Sequence, residues 1–260
     1  LMKGGIPFHM KDAIPNLFAH WISLDIIAYL RLVSGTGNTR ANWLRIMNRP
    51  NRYIKREALA PFTSDISVAQ LKAYYQDKDW MLERLDRLEY DLSIMKRMSP
   101  YAAIHYLSNA MKYQDYLKDY AKEHHINEQE LLDVLNAVHE SSQSCRTFAE
   151  WFTYIDTYTD ELQKQAKSPA SKDANNESGV CLCTLHCAKG LEYPIVFIPD
   201  INEDNIPHAR AAVDADLEEE RRLFYVGITR AKEHLHLYCV GEASGKEKFP
   251  SRFLEELNEI

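Results

Sequence analysis

Val180-Cys-Leu-Cys-Thr-Leu-His-Cys-Ala-Lys-Gly-Leu-Glu-Tyr-Pro-Ile-Val-Phe-Ile198, followed after a short interval by Leu217-Glu-Glu-Glu-Arg-Arg-Leu-Phe-Tyr-Val-Gly-Ile-Thr-Arg-Ala231, decides the fold. Two apolar runs, 180–185 and 194–198, have the length and β-branched content of buried parallel strands. A polar turn lies between them. In open α/β sheets ligands sit outside the carboxyl ends of the strands, so His186, Lys189, Gly190 and Glu192 fall where such a crevice would open.

The segment from 214 reads as a helix. Asp214 or Asp216 offers an N-cap, and Glu218, Glu219 and Glu220 crowd the first turn, where the helix dipole favours anions. At 3.6 residues per turn Leu217, Leu223, Phe224 and Ile228 gather on one side, with Gly227 and Ala231 allowing close approach. Arg222, Tyr225, Val226 and Thr229 face the other way, and Glu220 interrupts the apolar stripe. A rigid helix presenting Arg222 away from the core has the form an arginine finger needs, because charge developing on a transferring phosphoryl group must meet a preorganised cation.

Together, Thr184-x-His186-x-x-Lys189-Gly190-Leu191-Glu192 and Glu219-Glu220-Arg221-Arg222-Leu223-x-Tyr225-Val226-x-x-Thr229-Arg230-Ala231 resemble the fifth and sixth motifs of superfamily 1 DNA helicases of the UvrD/Rep/PcrA type. Order and spacing both match, and a Pro207-His208 segment joins them. The resemblance implies that Thr184 and His186 contact single-stranded DNA, with Thr229 and Arg230 also on the DNA side. It implies that Gly190, Lys189 and Glu192 border the nucleotide, Glu192 meeting the ribose, and that Lys189 lies between the nucleotide and DNA sites. Arg222, with Arg221 beside it, would reach the γ-phosphate. ATP and Mg²⁺ are the implied cofactors, and DNA, single-stranded or at a junction, the implied substrate.

Composition sets wide bounds. A chain of 260 residues, 45% hydrophobic and 27% charged, is enough for one large domain or two small ones. No stretch has the look of a membrane span or a signal segment, which makes the cytoplasm the default compartment. Five cysteines, including Cys181, Cys183 and Cys187, argue against a disulfide framework, and a zinc site from Cys183, His186 and Cys187 lacks a fourth ligand. No metal site is therefore expected. The net charge of -7 sits awkwardly with DNA binding, although a local groove need not follow the whole-chain charge.

Gly5-Ile-Pro-Phe8 resembles the family's short strand after its fourth motif, and Asp25-Ile-Ile-Ala-Tyr-Leu-Arg-Leu32 its next helix, expected over 23–33 with Ser23 as cap. A helix over 40–48 leads to Arg52-Tyr53-Ile54-Lys55, where the family usually has Arg-Gly-Ile-Gly gripping duplex backbone. Tyr53 removes the close approach that glycine would permit. Helical periodicity then runs through 68–75, 80–98, 101–121, 128–139 and 148–166, with Ser99-Pro100, Asn127-x-x-Glu130 and Thr147-x-x-Glu150 as start signals. The dense tyrosines here read first as a small helical core, and the charges of 80–98 first as a solvated face. Residues 167–179 have the composition of a linker.

The expected architecture is α/β: a RecA-like parallel-sheet domain, P-loop NTPase-like but without the P-loop half, interrupted by an inserted all-α domain. Residues 1–56 would open the second RecA-like domain, 57–177 form the helical insert and linker, and 178–260 complete it with motifs V and VI. There is no phosphate-cradling Gly-x-x-x-x-Gly-Lys-Ser/Thr loop and no strand ending in an acidic pair; Gly35-Thr-Gly37 is no substitute. These parts belong to the first RecA-like domain of such helicases. The chain therefore reads as the C-terminal motor half of a larger ATP-dependent helicase or translocase, of 3′–5′ polarity by resemblance, inactive alone and partnered by the missing N-terminal domain. The competing reading is a catalytically inactive helicase-like module for DNA binding or protein docking.

Overall fold

The computed structural model describes residues 1, 4–12, 15–37, 40–63, 66–167, 179–209, 211, 213–243 and 246–258. Most of the expected linker, 168–178, lies outside the described residues. The chain divides into two compact units, Pro15–Lys164 and Leu1–Ile14 with Gln165–Ile260. The helical unit thus takes in residues 15–56, which the resemblance assigns to the α/β part.

The helical unit is built on α1 (Trp21–Ser34), whose Ile22, Ile26, Tyr29, Leu30 and Val33 are all buried. Its start differs from expectation. His20 is the N-cap, its Nδ1 accepting the Ile22 N–H, while Ser23 lies inside the first turn and donates its hydroxyl to the Leu17 carbonyl. Gly35 closes the helix in the left-handed conformation, φ 74°, which suits a residue without Cβ. There follow α2 (Arg40–Ile46), α3 (Val68–Tyr74), α4 (Asp79–Met95), α5 (Pro100–Asn109), α6 (Tyr113–His124), α7 (Glu128–Ser141) and α8 (Phe148–Lys167).

The single helix expected over 101–121 is two. Lys112 adopts φ 60° and breaks it, turning α6 so that the buried Tyr113 hydroxyl reaches Asp25, 2.9 Å away. Asp25 is completely buried, and Arg45 (3.1 Å) and Arg49 (2.8 Å) also donate to it. Burial lifts its carboxyl pKa above the ordinary value, an effect opposed chiefly by Arg49. The capping signals behave as expected: Ser99 and Asn127 cap α5 and α7, and Thr147 and Glu150 exchange reciprocal bonds at the start of α8. The aromatic residues chiefly make core. Trp43 and Trp151 are buried, each indole N–H satisfied, and Phe18 meets Trp151, Tyr154 and Tyr158 edge-on.

The second unit is mixed α/β with small parallel sheets. Strand β1 (Phe8–Met10) pairs in parallel with β2 (Val180–Leu182), and β3 (Tyr193–Ile198) with β4 (Ala231–Leu237). A two-residue antiparallel pair, β5 (Glu242–Ala243) and β6 (Lys246–Glu247), follows. Helix α9 (Asp214–Ile228) packs on β3 and β4, and α10 (Arg252–Asn258) closes the described chain. Ile198, Ile201, Phe224 and Phe253 form the core.

The expectation that 180–185 and 194–198 are buried strands is corrected. The first ends as a strand at Leu182, and β3 buries only alternate residues, leaving Ile195 and Phe197 exposed while Val196 and Ile198 pack inward. The cause is the two-residue period of a strand whose one face packs on the small core beneath α9.

Two histidines give the helical unit an acid-sensitive stability. Burial lowers the pKa of His20 and of His139, whose ring stacks on Tyr101 at 3.9 Å, below the ordinary 6.5. The unfolded chain therefore binds protons more readily, so this contribution is complete above 6.5 and lost as pH falls toward the folded values. The urea midpoint should decline between about pH 7.5 and about pH 5.5, and His139→Gln should flatten that decline.

Candidate functional site

The loop between β2 and β3 is pinned at both ends. The Thr184 N–H donates to Asp12 Oδ2 at 2.6 Å, the Thr184 hydroxyl accepts the Cys187 N–H, and the Thr184 carbonyl accepts the Ala188 N–H. Asp12 is held below the ordinary carboxylate value first by the Cys187 thiol and then by that Thr184 bond. Ala188 is buried and anchors the turn, which leaves Thr184, His186, Lys189 and Gly190 exposed. Gly190 has φ 83° with open space around it, so the turn requires a left-handed residue there. Glu192 is exposed and forms an ion pair with Lys232 at 3.1 Å.

Helix α9 meets this loop through a glycine. A Cβ on buried Gly227 would lie 2.6 Å from Leu185 Cδ2 and 3.1 Å from Ile198 Cδ1, so only glycine admits this approach without displacement. The N-cap differs from the expected Asp214 or Asp216. It is Val213, without a side-chain bond, and the two aspartates occupy the first turn, where they complement the dipole. Glu220, which interrupts the apolar stripe, accepts the His208 N–H at 3.0 Å.

The adjacent arginines differ sharply. Arg221 pairs with Glu218 and, at 2.9 Å, with Glu256 of α10, its guanidinium 5.2 Å from the Phe253 ring centroid. It ties two helices together. Arg222 is 76% exposed at its side chain and lies 3.4 Å from the exposed Glu219. Arg230 bonds the Val226 carbonyl (2.8 Å), the Leu191 carbonyl (2.9 Å) and the Thr229 hydroxyl (3.0 Å), so it fastens the end of α9 to the residue before Glu192. Arg222 stands eight residues earlier, about 12 Å up the helix axis.

The structure thus gathers Leu191, Glu192, Arg230 and Lys232 at the base of α9 and leaves Thr184, His186 and Lys189 on the neighbouring turn. Asp12 and Lys232 were missed by sequence reasoning. Asp12 lies 172 positions from Thr184, and Lys232 follows the motif that drew attention. Cys183 is pushed up to about 11 by burial, and Cys181 Sγ lies 3.1 Å from the Tyr193 hydroxyl. Among the described residues no group of three or more His, Cys, Asp and Glu side chains is placed to hold a metal ion.

A family model described as the UvrD-like helicase C-terminal domain matches residues 1–241. The chain belongs to that family. It is similar to the putative ATP-dependent DNA helicase YjcD of Bacillus subtilis, 29% identical over 99% of this chain and 34% of that protein. The ATP-dependent DNA helicase PcrA of the same organism is 32% identical over 91% of this chain and 34% of PcrA. The ATP-dependent DNA helicase Rep of Buchnera aphidicola is 26% identical over 99% of this chain and 42% of Rep. The chain thus spans roughly a third to two-fifths of these helicases.

The contrast between the two arginines is testable by stability alone. Arg221→Ala, which removes the tie between α9 and α10, should lower the melting temperature by a few degrees, whereas Arg222→Ala should leave it within error. Differential scanning calorimetry of both variants checks this.

Proposed function

We propose that this chain is the C-terminal motor portion of an ATP-dependent DNA helicase, completing from one side an ATP site whose phosphate cradle another domain supplies. The observation that carries the reading is the exposed Arg222 guanidinium on a helix whose other end is bonded to the Glu192 loop. Its neighbour Arg221 is committed to the fold, so α9 is anchored by one cation while the next remains available. On this reading residues 1–56 and 178–260 form a RecA-like domain and 57–177 its helical insert.

The residues present fit a nucleotide approached from this side. Glu192 is an exposed carboxylate suited to accept ribose hydroxyls, and its partner Lys232 is also exposed, so the pair opens at little cost. Gly35 closes α1 in the left-handed conformation, so it serves as a helix C-cap. ATP with Mg²⁺, held mainly by the other domain, would supply the transferable phosphoryl group, with Glu192 and Arg222 approaching it from this side. Arg222 would meet the charge that builds on that group, presented from a helix whose far end Arg230 bonds to the Leu191 carbonyl.

Thr184 and His186 lie on the turn that leads to Glu192, and we assign them to single-stranded DNA, with Lys189 between the two sites. Thr229 and Arg230 then act at the same end of α9, Arg230 by holding Leu191 in place. Nucleotide-driven closure of the cleft between two such domains moves this loop, which would grip and release the strand in turn, with 3′–5′ stepping as the direction.

In the longer helicase carrying this chain, Arg222→Ala should lower kcat for ATP by about 10³-fold or more with little change in KM, and Arg222→Lys should not restore it. Steady-state ATPase assays at saturating single-stranded DNA measure this. Unchanged turnover would leave α9 as a structural helix and favour a docking module.

A further inference from the structure

Trp80 and Tyr53, with Tyr74 and Tyr90, depart from the use of aromatic residues as core in the helical unit. Trp43 and Trp151 are buried and Trp21 packs against the core, whereas Trp80 is 50% and Tyr53 60% exposed. The Arg84 guanidinium lies over both rings, 4.9 Å from the Tyr53 centroid and 5.1 Å from that of Trp80. The three side chains form an aromatic–cation–aromatic stack on the surface.

The backbone holds Tyr53 there against its own preference. Tyr53 has φ 60°, a left-handed conformation that a bulky residue rarely adopts. The surrounding bonds sustain it. Asn51 Oδ1 accepts the Tyr53 N–H, Asn48 Oδ1 accepts the N–H groups of Arg52 and Ile54, and Asn48 Nδ2 donates to the Ile54 carbonyl. Ile54 is buried, and the Lys55 N–H donates to the Tyr75 hydroxyl. A strained residue presented to solvent by a loop fastened on both sides points toward use rather than packing.

Exposed cations lie beside the stack. On α4 the acids Asp86 and Glu89 are taken up by Lys72, and the buried Asp91 by Arg87 and Tyr106. Arg49 is spent on Asp25, and Arg52 on the carbonyls of Ile46 and Pro50. Lys55 and Arg56, next to Tyr53, are exposed. With Lys78 and Arg84 they balance Glu57, Asp77, Asp79 and Glu83 of the same segments, against a chain net charge of -7.

We propose that Tyr53, Trp80 and Arg84 form a stacking site for unpaired bases of a nucleic-acid strand, with Lys55 and Arg56 meeting its phosphates. Ring faces and cations in alternation suit a strand whose bases are free, and a paired duplex hides those faces. The inference rests on the reading that the protein handles DNA, and adds to it a contact in the helical unit.

The test is titration of the 260-residue chain with an oligothymidylate, followed by tryptophan fluorescence and by anisotropy of a labelled oligonucleotide. The wild type should show quenching. Trp80→Ala and Tyr53→Gly should each weaken binding roughly tenfold or more, and Tyr53→Gly relieves the left-handed strain, so it should fold normally. Trp80→Phe should keep most of the affinity yet lose the quenching, because Trp43 and Trp151 are buried. Wild-type affinity in both Trp80→Ala and Tyr53→Gly, or equal quenching by a blunt duplex of the same length, would overturn the stacking site alone. Absence of binding by the wild type would overturn it together with the DNA reading beneath it.

Discussion

The contact between Gly227 and the side chains of Leu185 and Ile198 sets the geometry of the α/β unit. With no Cβ at 227, α9 lies close enough for its backbone to touch Leu185, which belongs to the turn carrying Thr184, His186 and Lys189. Phe224, one turn earlier, enters the same core, and Arg230, near the end of the helix, bonds the Leu191 carbonyl. The helix and the loop are therefore joined by both a packing contact and a hydrogen bond. The backbone positions that carry Arg222 and Glu192 are thereby tied to one core through Gly227 and Arg230.

The helical unit solves a different problem, that of holding a basic loop in place. Asp25 sits completely buried at its centre and gathers Arg45, Arg49 and the Tyr113 hydroxyl. Removing that carboxylate would leave Tyr113 without its partner in the core and two guanidinium groups unpaired. Because Arg49 begins the stretch that presents Tyr53, the buried charge and the surface stack belong to one chain of support. Tyr53 takes the left-handed conformation at the position where the family's pattern would have glycine. In the 199–204 loop Asp200 and Asp204 also take positive φ, and the buried Asn202 side chain donates to the carbonyls of Val240 and Phe249.

Much of this was legible in the residues. Local signals carried well: Ser99-Pro100, Asn127 and Thr147 mark helix starts because a cap depends on neighbours within a turn. Family membership was legible from the spacing of Thr184 to Glu192 and of Glu219 to Ala231, and the matching family model covers both. The misreadings share a cause, which is that distant contacts decided the outcome. Ser23 yields the cap of α1 to His20 because its hydroxyl finds Leu17; Lys112 breaks a periodic segment so that Tyr113 can reach Asp25; and the Thr184 turn is fixed by Asp12 from the other end of the chain. Strand burial was overestimated because apolar content does not reveal how many layers cover a sheet. Helical angle singled out Arg222 as outward-facing, but the tie that Arg221 makes was not legible, since its partner Glu256 lies 35 residues away.

The account turns on the direction in which Arg222 is used. A structure of the longer helicase bound to a non-hydrolysable ATP analogue and single-stranded DNA tests this most directly. The account predicts that the Arg222 guanidinium leaves Glu219 and lies within hydrogen-bond distance of the γ-phosphate, while Glu192 exchanges Lys232 for the ribose hydroxyls. An Arg222 still beside Glu219 in solvent, with the nucleotide fully bound and the cleft closed, would contradict it.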